Sequence, residues 1–507
     1  MNFGFLSILP PVVAVLLAVR YKNVLLALFA GVYVGSVIKV GYNPITGLTS
    51  LFKDVLFVEV AQSSHGALLV MMTFIGGFVA VVTQSGGAAA FAEKAASLVK
   101  SRMMTQVAAW VGGIVIFFSD SANPLLLGPI FQPIADKMRV SREKLAWIID
   151  STASPVCILV PIIGWGIFIQ SLIGKQFKTL GIQEDPFYTF LAVVPYQFYA
   201  LGTLMMVPLV ALVGYEFSAM YEAEKRTMET GEPMWPDAKP LRPTESIDLP
   251  EGTKPTVSMI TVPLFVLFIT LFGILGPSGF PLVPVKGKVL WSTLSAGYFL
   301  GALSCMYLMV KNKQRTAEES LKIFVDGCKN MAHILMILVL AWSLGAICKT
   351  LGTDSFIVSI CRGTVPTFLV PSLLFVTGAL ISFSTGSAWG TFAILIPIAI
   401  PLAKEVGLSF PLVIGAVLSG GLFGDHCSPI SDTTIMSSMG AACDHIDHVK
   451  TQVPYACCVA SASLIAYIVA GLIDSPWTLV LALTLVVAIV VIAGRLRGKA
   501  LKMVKEA

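Results

Sequence analysis

The amino-acid sequence predicts an all-α polytopic membrane protein with an internal duplication and several broken helices. Its 507 residues are 56% hydrophobic and 12% charged, whereas soluble domains have roughly 45–50% and 25%. The mean hydropathy is +0.84. Apolar stretches recur along the chain, and clusters of Pro, Gly, Asp, Ser and Thr interrupt several of them. These observations together predict a bundle of membrane-spanning helices, some of them discontinuous.

The predicted helices are distributed over nearly the whole chain. A span needs roughly 20 apolar residues, and stretches able to seed one include residues 5–18, 24–38, 68–82, 257–272, 290–310, 334–347 and 477–493. We expect about fifteen hydrophobic spans in all. The first lacks the basic segment of a secretory signal, which predicts a retained helix. Most of the nine cysteines lie inside apolar runs, and no disulfide framework is inferred.

One segment has no apolar run and divides the chain. Residues 215–255 carry nine of the 29 acidic residues and six prolines, which predicts an aqueous linker, helical at first and then extended. We therefore expect a first transmembrane half at residues 1–214, with a repeat from about residue 66 to 214, and a second half with the counterpart repeat at residues 256–475. A final helix and a basic tail are predicted at residues 476–507.

The two halves share residues at matched spacing. At a constant shift of 268 positions, one set recurs in order: Pro129, Pro133, Ala135 and Ser141 return as Pro397, Pro401, Ala403 and Ser409. Ser154-Pro155 returns as Ser428-Pro429 at a shift of 274. This agreement indicates an internal duplication with a short insertion in the second copy.

Lysine and arginine in short loops predict the cytoplasmic side. Basic clusters follow the first, third, fifth and last predicted spans: Arg20 and Lys22; Lys94, Lys100 and Arg102; Lys137, Arg139, Arg142 and Lys144; Arg495, Arg497, Lys499, Lys502 and Lys505. This pattern predicts an external N-terminus and a cytoplasmic linker and C-terminus, although Lys175 and Lys178 then fall outside.

The duplicated loops differ in charge. Residues 137–144 are strongly basic, but their counterpart at 404–409 has one Lys and one Glu. The two copies are therefore predicted to have opposite topology. Inverted repeats typify secondary transporters, whose sites form near the membrane midplane at interrupted helices.

Four interruptions lie at corresponding places in the two copies. The first copy is broken at residues 118–124 (FSDSANP) and 150–155 (DSTASP), and the second at 382–387 (SFSTGS) and 424–434 (GDHCSPISDTT). Pro removes a backbone donor, Gly permits an unwound path, and Ser, Thr, Asp and Asn bond to the freed backbone. Irregular backbone survives at membrane depth only where protein or water satisfies it, so the four breaks predict a lined cavity.

The side chains at these breaks are rich in oxygen. Carboxylate, hydroxyl and carbonyl oxygens suit a hard cation such as Na⁺, and a carboxylate that holds either Na⁺ or H⁺ supports exchange of the two. Asp425 or Asp432 is the predicted exchanging carboxylate, with Asp150 next. The candidate ion- or substrate-binding residues are Asp120, Asn123, Asp150, Ser151, Thr152, Ser154, Ser384, Thr385, Ser387, Asp425, His426, Ser428, Asp432, Thr433 and Thr434.

Several of these residues have a simpler interpretation. Asp150 and Asp425 could cap half-helices, and His426 could carry a proton or be a neutral partner that orients Asp425. His445 and His448 have the spacing of a metal pair, but they lie at a predicted cytoplasmic helix start. No cofactor and no metal beyond transported Na⁺ is implied.

Two other classes of membrane protein were considered. An intramembrane aspartyl protease would use paired Asp residues, but its Gly-x-Gly-Asp is missing because Leu422 stands two residues before Gly424. A channel fits duplicated broken helices less well than an alternating-access transporter does.

Long motifs resemble the NhaC-type Na⁺/H⁺ antiporter family. They are residues 424–434, residues 443–455 (CDHIDHVKTQVPY), residues 384–391 (STGSAWGT), residues 141–146 (SREKLA) and residues 150–156 (DSTASPV). The resemblance implies a multi-pass exchanger of a bacterial or archaeal cytoplasmic membrane that extrudes Na⁺ as protons enter. It also suggests an elevator-like movement of the broken-helix core against a scaffold.

One motif departs from the family. Where the family often has Phe-Asp-Asp-Tyr-Ala-Asn, this chain has Phe-Ser-Asp-Ser-Ala-Asn at residues 118–123. One carboxylate and one phenol are lost, so a Na⁺- or H⁺-coupled symporter or exchanger of a small organic acid or amino acid is the alternative function. The expected partners are Na⁺, H⁺ and the lipid bilayer, without nucleic acid, and a homodimer is left open.

Overall fold

The computed structural model describes residues 3–21, 23–96, 99–240, 255–280, 283, 287–353, 356, 366–496 and 499–500. Almost all regular structure in these ranges is helical. The helices of the first half are α1 Leu9–Tyr21, α2 Val24–Lys39, α3 Pro44–Ser50, α4 Phe57–Val60, α5 Ser63–Gln84, α6 Gly87–Ala96, α7 Arg102–Val115, α8 Ala122–Lys137, α9 Arg142–Asp150, α10 Ser154–Cys157, α11 Gly164–Leu180, α12 Pro186–Val193 and α13 Phe198–Val213.

The remaining helices begin in the linker and continue through the second half. They are α14 Ser218–Thr230, α15 Ser258–Leu275, α16 Gly287–Lys311, α17 Ala317–Asn330, α18 Ala332–Leu351, α19 Val370–Thr385, α20 Ala388–Val406, α21 Phe410–Cys427, α22 Asp432–Gly440, α23 His445–Ile473 and α24 Thr478–Leu496. Two short strands, β1 Tyr215–Glu216 and β2 Lys499–Ala500, pair antiparallel, a small departure from the predicted all-α fold.

Eight helices of the described chain are long and apolar enough to cross a membrane, or up to ten if two bent pairs each form one span. The bent pairs are Leu25–Lys39 with Pro44–Val60, at 114°, and Pro186–Tyr196 with Phe198–Val213, at 50°. The expected count of about fifteen was too high. Part of the difference comes from helices that are too short to cross a membrane alone, such as α8 with 16 residues and α9 with 9.

Helix α23 defines two faces of the protein. Its 29 residues extend about 43 Å at 1.5 Å per residue. At its start, the Asp444 carboxylate accepts from Lys239 N at 2.9 Å; we call this end the linker face. At its other end, Ser409 Oγ donates to the Asp474 carboxylate at 2.7 Å; we call this end the distal face.

Two helical hairpins enter from these opposite faces. Hairpin A is α7 and α8: Arg102, at the start of α7, pairs with Glu224 of the linker, and Asp136, near the end of α8, pairs with Arg142. Both ends therefore lie at the linker face. Hairpin B is α19 and α20, and it begins and ends at the distal face, where residue 368 touches the end of α23 and Lys404 Nζ donates to a carbonyl at the end of α11.

Two broken spans run in opposite directions beside the hairpins. Broken span A begins at the linker face with α9 and ends with α11. The interruption between these two helices contains the single turn α10. Broken span B passes from the distal face through α21, an interruption at residues 428–431, and α22. Ser141 and Ser409, which the duplication matches, each cap the first helix of a broken span. The predicted inverted repeat is confirmed, and all four predicted interruptions occur.

The first part of the linker is packed against the membrane helices. Arg226 of α14 donates to both carboxylate oxygens of Glu143 at 3.0 and 2.9 Å, and Glu224 is fully buried. This differs from the aqueous linker that its composition predicts, because its charges pair with those of α7 and α9. Residues 241–254 of the linker and residues 497–498 and 501–507 of the basic tail lie outside the described residues.

Hairpin A contacts broken span B through glycine. A Cβ on Gly128 would lie 2.1 Å from the backbone carbon of Gly440, and such close approach of helices requires small residues. We expect Gly128→Ala to lower the free energy of unfolding by about 2 kcal/mol through overpacking. Thermal unfolding of the detergent-purified protein measures this.

Gly273 provides the matched control. It lies inside α15, and a Cβ there would meet nothing within 4 Å. Gly273→Ala should therefore leave stability unchanged or raise it slightly through helix propensity. Equal stability of the two variants would show that the two helices can separate without loss.

Candidate functional site

The interruptions converge on a cavity of about 230 Å³. It lies between the tips of both hairpins, the two broken spans and the junction of α17 with α18. Its lining residues are Asp120, Ser121, Trp165, Asn330, His333, Ile334, Ile337, Gly386, Ser387, Ala388, Trp389, Asp425, Ser431, Asp432 and Thr433. The predicted cavity therefore exists, and both repeats contribute to it.

A second cavity of about 370 Å³ adjoins the first and shares Asp120, Trp165 and Trp389 with it. It follows one side of α5 from Ile75 to Gln84, and the next residue, Ser85, accepts from Gln314 at the end of α16. The two cavities together extend from the broken helices toward the linker end of the protein.

Asp120 lies at the unwound tip of hairpin A, between α7 and α8. Its Oδ1 accepts from Ser121 N at 2.8 Å and from Ser121 Oγ at 3.2 Å. Its Oδ2 accepts from the Trp165 indole at 3.1 Å. Trp165 in turn packs against Trp389 of hairpin B, with ring centroids 4.8 Å apart. The carboxylate is thus held at the junction of the two repeats, beside an aromatic wall.

Asp425 and Asp432 reach the cavity from the two sides of the break in broken span B. Asp425 is in the last turn of α21 and is 5% exposed, whereas Asp432 begins α22 and its side chain is exposed. Ser431 lies between them, with its Oγ 3.1 Å from Thr433 Oγ1. The positive end of the α22 dipole stabilises negative charge at Asp432.

The tip of hairpin B closes the opposite side. Gly386 has φ +65°, and a Cβ there would lie 2.5 Å from the Ile430 carbonyl oxygen, so this turn requires glycine. Ser387 caps α20 by accepting from Gly390 N at 3.3 Å. Ser428 Oγ donates to the Phe383 carbonyl at 2.7 Å, which fixes the tip against the break of broken span B.

Asp150 lies in a separate, buried cluster and does not line the cavity. It is 1% exposed, and its Oδ2 accepts from Gln452 Nε2 at 2.7 Å. His426 Nε2 and His448 Nε2 lie 3.9 and 4.0 Å from the same oxygen. Of the four aspartates expected to share one cavity, Asp120, Asp425 and Asp432 line it, and Asp150 lies outside the lining, from where its charge acts on Asp425.

His426 has partners other than Asp425. Its Nδ1 lies 2.8 Å from the Tyr199 hydroxyl. The structure therefore does not show the hydrogen bond by which His426 would orient Asp425. Asp425 and Asp150 both lie in the last turn of their helices, which excludes the alternative that they are N-terminal caps.

The profile of the Na⁺/H⁺ antiporter family matches residues 156–472. This chain belongs to the Na⁺/H⁺ antiporter family. The resemblance of its motifs to NhaC-type antiporters is therefore confirmed, and the chain is a multi-pass membrane transporter rather than an enzyme.

Three proteins are similar to this chain in sequence or in fold. An uncharacterized protein of Haemophilus influenzae is 34% identical over 481 residues, which cover 92% of this chain and 90% of that protein. The malate-2H⁺/Na⁺-lactate antiporter of Bacillus subtilis is 34% identical over 137 residues, which cover 25% of this chain and 27% of that protein. The crystal structure of the Alcanivorax borkumensis YdaH transporter matches with a TM-score of 0.58 at 18% identity, covering 85% and 90%, and this likeness concerns the fold.

The other predicted residues of this antiporter-family site mainly hold the breaks together. Asn123 Nδ2 donates to the carbonyls of Gly113 and Thr152 at 2.9 and 3.0 Å. The hydroxyls of Thr152 and Thr385 bond back to their own helices. Four further residues lie away from the cavity lining. Ser151 and Ser154 are buried, Ser384 is half-buried, and Thr434 lies beside Asp150.

Several cavity and cluster residues were missed from the sequence. Trp165 is an apolar side chain in an apolar helix, and nothing in the sequence distinguishes it. Trp389 lies within the motif at residues 384–391, but its apolar side chain gave no sign of a role in the site. Asn330 and His333 lie where α17 meets α18, and two polar residues three apart in an apolar run were the available signal. Gln452 lies within a motif that was recognised, but its contact with Asp150 crosses 302 positions of the chain.

The His445 and His448 pair forms no metal centre with a third ligand. In the part of the chain that the structure describes, no group of three His, Cys, Asp or Glu side chains is placed to hold a metal ion. Asp444 caps α23 by accepting from Ile446 N and Asp447 N at 2.9 and 3.2 Å. The two rings converge on Ser438 instead.

Proposed function

We propose that this protein exchanges Na⁺ for H⁺ across its membrane by alternating access, with Asp425, Asp432 and Asp120 as the cation site. The supporting observation is that three carboxylates from opposite repeats line one cavity, whose described lining contains neither Lys nor Arg. Ser431 and Thr433 add hydroxyl oxygens, which suit a hard cation. A carboxylate that gives up H⁺ as Na⁺ arrives couples the two movements.

The same proposal includes the orientation and the motion. We infer that the linker face is cytoplasmic, since the basic loop at residues 137–144 lies there, and that the membrane is a bacterial or archaeal cytoplasmic membrane. The hairpin tips meet at the cavity from opposite faces, so each tip is placed to obstruct one exit. Movement of hairpins and broken spans together, in an elevator-like manner, would expose the carboxylates alternately.

Cavity volume favours the second candidate, coupled transport of an organic solute. The two adjoining cavities measure about 230 and 370 Å³. Both exceed what Na⁺ needs, and the larger is within the range of small-molecule sites. Trp165 and Trp389 offer aromatic faces to such a solute. The B. subtilis relative is named for organic acids, but an anion here would meet three carboxylates, and we therefore place Na⁺/H⁺ exchange first.

Reconstituted protein distinguishes the two functions. In proteoliposomes that contain a pH-sensitive dye, external Na⁺ or Li⁺ should drive H⁺ outward and make the interior alkaline, whereas K⁺ and protein-free liposomes should give no response. Uptake of labelled malate or of an amino acid, without a response to either Na⁺ or Li⁺, would overturn the exchange of Na⁺ for H⁺.

A further inference from the structure

A chain of polar side chains connects the linker face with Asp150. His445, at the start of α23, is half-buried, and His448, one turn further, is fully buried. Their Nδ1 atoms lie 3.0 and 2.8 Å from the same oxygen, Ser438 Oγ. Gln452 then connects His448 to Asp150. The chain crosses from α23 to α22 and back, and it is separate from the cavity.

The hydrogen atoms on the outer nitrogens of both rings are fixed by their partners. His445 Nε2 lies 2.7 Å from the Pro429 carbonyl oxygen, which can only accept, so this nitrogen carries a hydrogen. The Gln452 amide nitrogen donates to Asp150 and to the His426 carbonyl. Its oxygen therefore accepts, and His448 Nε2, at 2.8 Å, also carries a hydrogen.

This arrangement is one proton short when both rings are neutral. Each Nδ1 must then accept a hydrogen bond, and both face the single hydroxyl of Ser438. That hydroxyl has a third acceptor, the Thr434 carbonyl oxygen at 2.8 Å. One hydroxyl proton cannot satisfy three acceptors. One added proton satisfies both rings, because a charged ring donates to Ser438 while the hydroxyl donates to the other ring, and the Thr434 carbonyl oxygen is a backbone acceptor within helix α22.

Negative charge near the chain favours that added proton. The groups that act electrostatically on His448 are Asp150 from α9, His426 from α21 and His445 on its own helix. Of these, only Asp150 carries negative charge, and its Oδ2 is 4.0 Å from His448 Nε2. In a buried setting an unpaired carboxylate is strongly disfavoured, so a proton that reaches His448 would place a compensating positive charge beside Asp150.

We propose that His445, Ser438 and His448 carry the coupling proton between the linker face and Asp150. The charge of Asp150 acts on Asp425, so a proton that reaches the Asp150 cluster changes the charge beside the exchanging carboxylate. Charged His445 gives the proton on Nδ1 to Ser438 Oγ, and the Ser438 hydroxyl gives its own proton to His448 Nδ1. His445 becomes neutral, His448 becomes an imidazolium beside Asp150, and Ser438 is again a hydroxyl. The charge moves one helical turn inward without any net change in atoms.

The experiment compares two fluxes of the reconstituted full-length protein, and it rests on the proposed exchange of Na⁺ for H⁺. We expect Ser438→Ala to reduce Na⁺-driven H⁺ flux by about tenfold or more, a modest value for loss of a proton-transfer group. Exchange of labelled Na⁺ for unlabelled Na⁺ needs no proton and should stay close to the wild-type rate. His445→Gln keeps an amide donor for Pro429 but cannot carry a proton, and it should act in the same way.

Ser463→Ala is the matched control. Ser463 is a buried serine on α23 whose hydroxyl donates to the Val459 carbonyl of its own helix. The H⁺ flux and the Na⁺ exchange of the Ser463→Ala variant should both equal those of the wild type. Normal H⁺ flux in Ser438→Ala would overturn the relay alone. An equal loss of both fluxes would also overturn it, since Ser438 would then support the structure. A wild type that moves neither ion would overturn the proposed function itself.

Discussion

Replacement of Asp425 by Asn is expected to reduce Na⁺-driven H⁺ flux about 100-fold or more, which corresponds to roughly 2.7 kcal/mol. Asn keeps one acceptor oxygen and nearly the same volume, but it cannot ionise, so it neither neutralises Na⁺ nor exchanges a proton. The buried position, with 5% exposure, makes this loss large because solvent cannot replace the missing charge. Flux into dye-loaded proteoliposomes measures it.

The control must show that removal of a carboxylate outside the cavity does not reduce the flux. Asp326 lies on α17, and its side chain pairs with Lys329 where both are largely exposed; exposed pairs contribute little. Asp326→Asn should transport at the wild-type rate. Elution from a sizing column in detergent should be the same for both variants. A folded Asp425→Asn variant with normal flux would remove this carboxylate from the mechanism.

Asp432 refines the interpretation of that result. It is exposed in the cavity at the start of α22, where the helix dipole already favours its charge. A buried carboxylate has to be neutralised by either Na⁺ or H⁺, whereas solvent screens an exposed one. The buried carboxylate of Asp425 is therefore the better candidate for exchange, a choice that the sequence had left open between the two.

The interruptions were predictable because their causes are local. Pro155, Pro429 and Gly386 act on their own backbone, so the sequence locates the breaks without knowledge of the fold. It could not show that two breaks are hairpin tips while two interrupt full spans. That difference depends on which face each end reaches, and only contacts such as Arg102 with Glu224 reveal it.

Which residues belong to the site depends more on tertiary structure than the positions of the breaks do. Asp120 and Asp150 are both acidic residues at breaks in the same repeat, yet one lines the cavity and the other is enclosed by Gln452 and two histidines. Their sequence environments do not distinguish them. The length of α9, 9 residues, determines how deep Asp150 lies, and the partners across the interface determine what surrounds it.

Loss of a single charge in the buried pair of Lys144 and Glu216 is expected to lower stability by about 3–5 kcal/mol. Lys144 Nζ donates to the two carboxylate oxygens at 2.8 and 2.9 Å, and the Tyr455 hydroxyl donates to the same carboxylate at 2.5 Å. Lys144 is 0% exposed, and its ammonium lies 4.6 Å from the Trp147 ring centroid. Lys144→Met would leave Glu216 buried without its counter-ion.

The double variant Lys144→Met with Glu216→Gln tests the cause. If the uncompensated carboxylate is responsible, removal of its charge should recover most of the lost stability, since neutral replacements of a buried ion pair are often tolerated. If both variants unfold at the same temperature, the loss comes from packing around Trp147 and Tyr455 instead. Lys329→Met, which breaks an exposed pair, should leave the unfolding temperature unchanged. Because Glu216 belongs to the linker and Lys144 to α9, recovery in the double variant would also show that the linker stays packed against the first broken span without this charge pair.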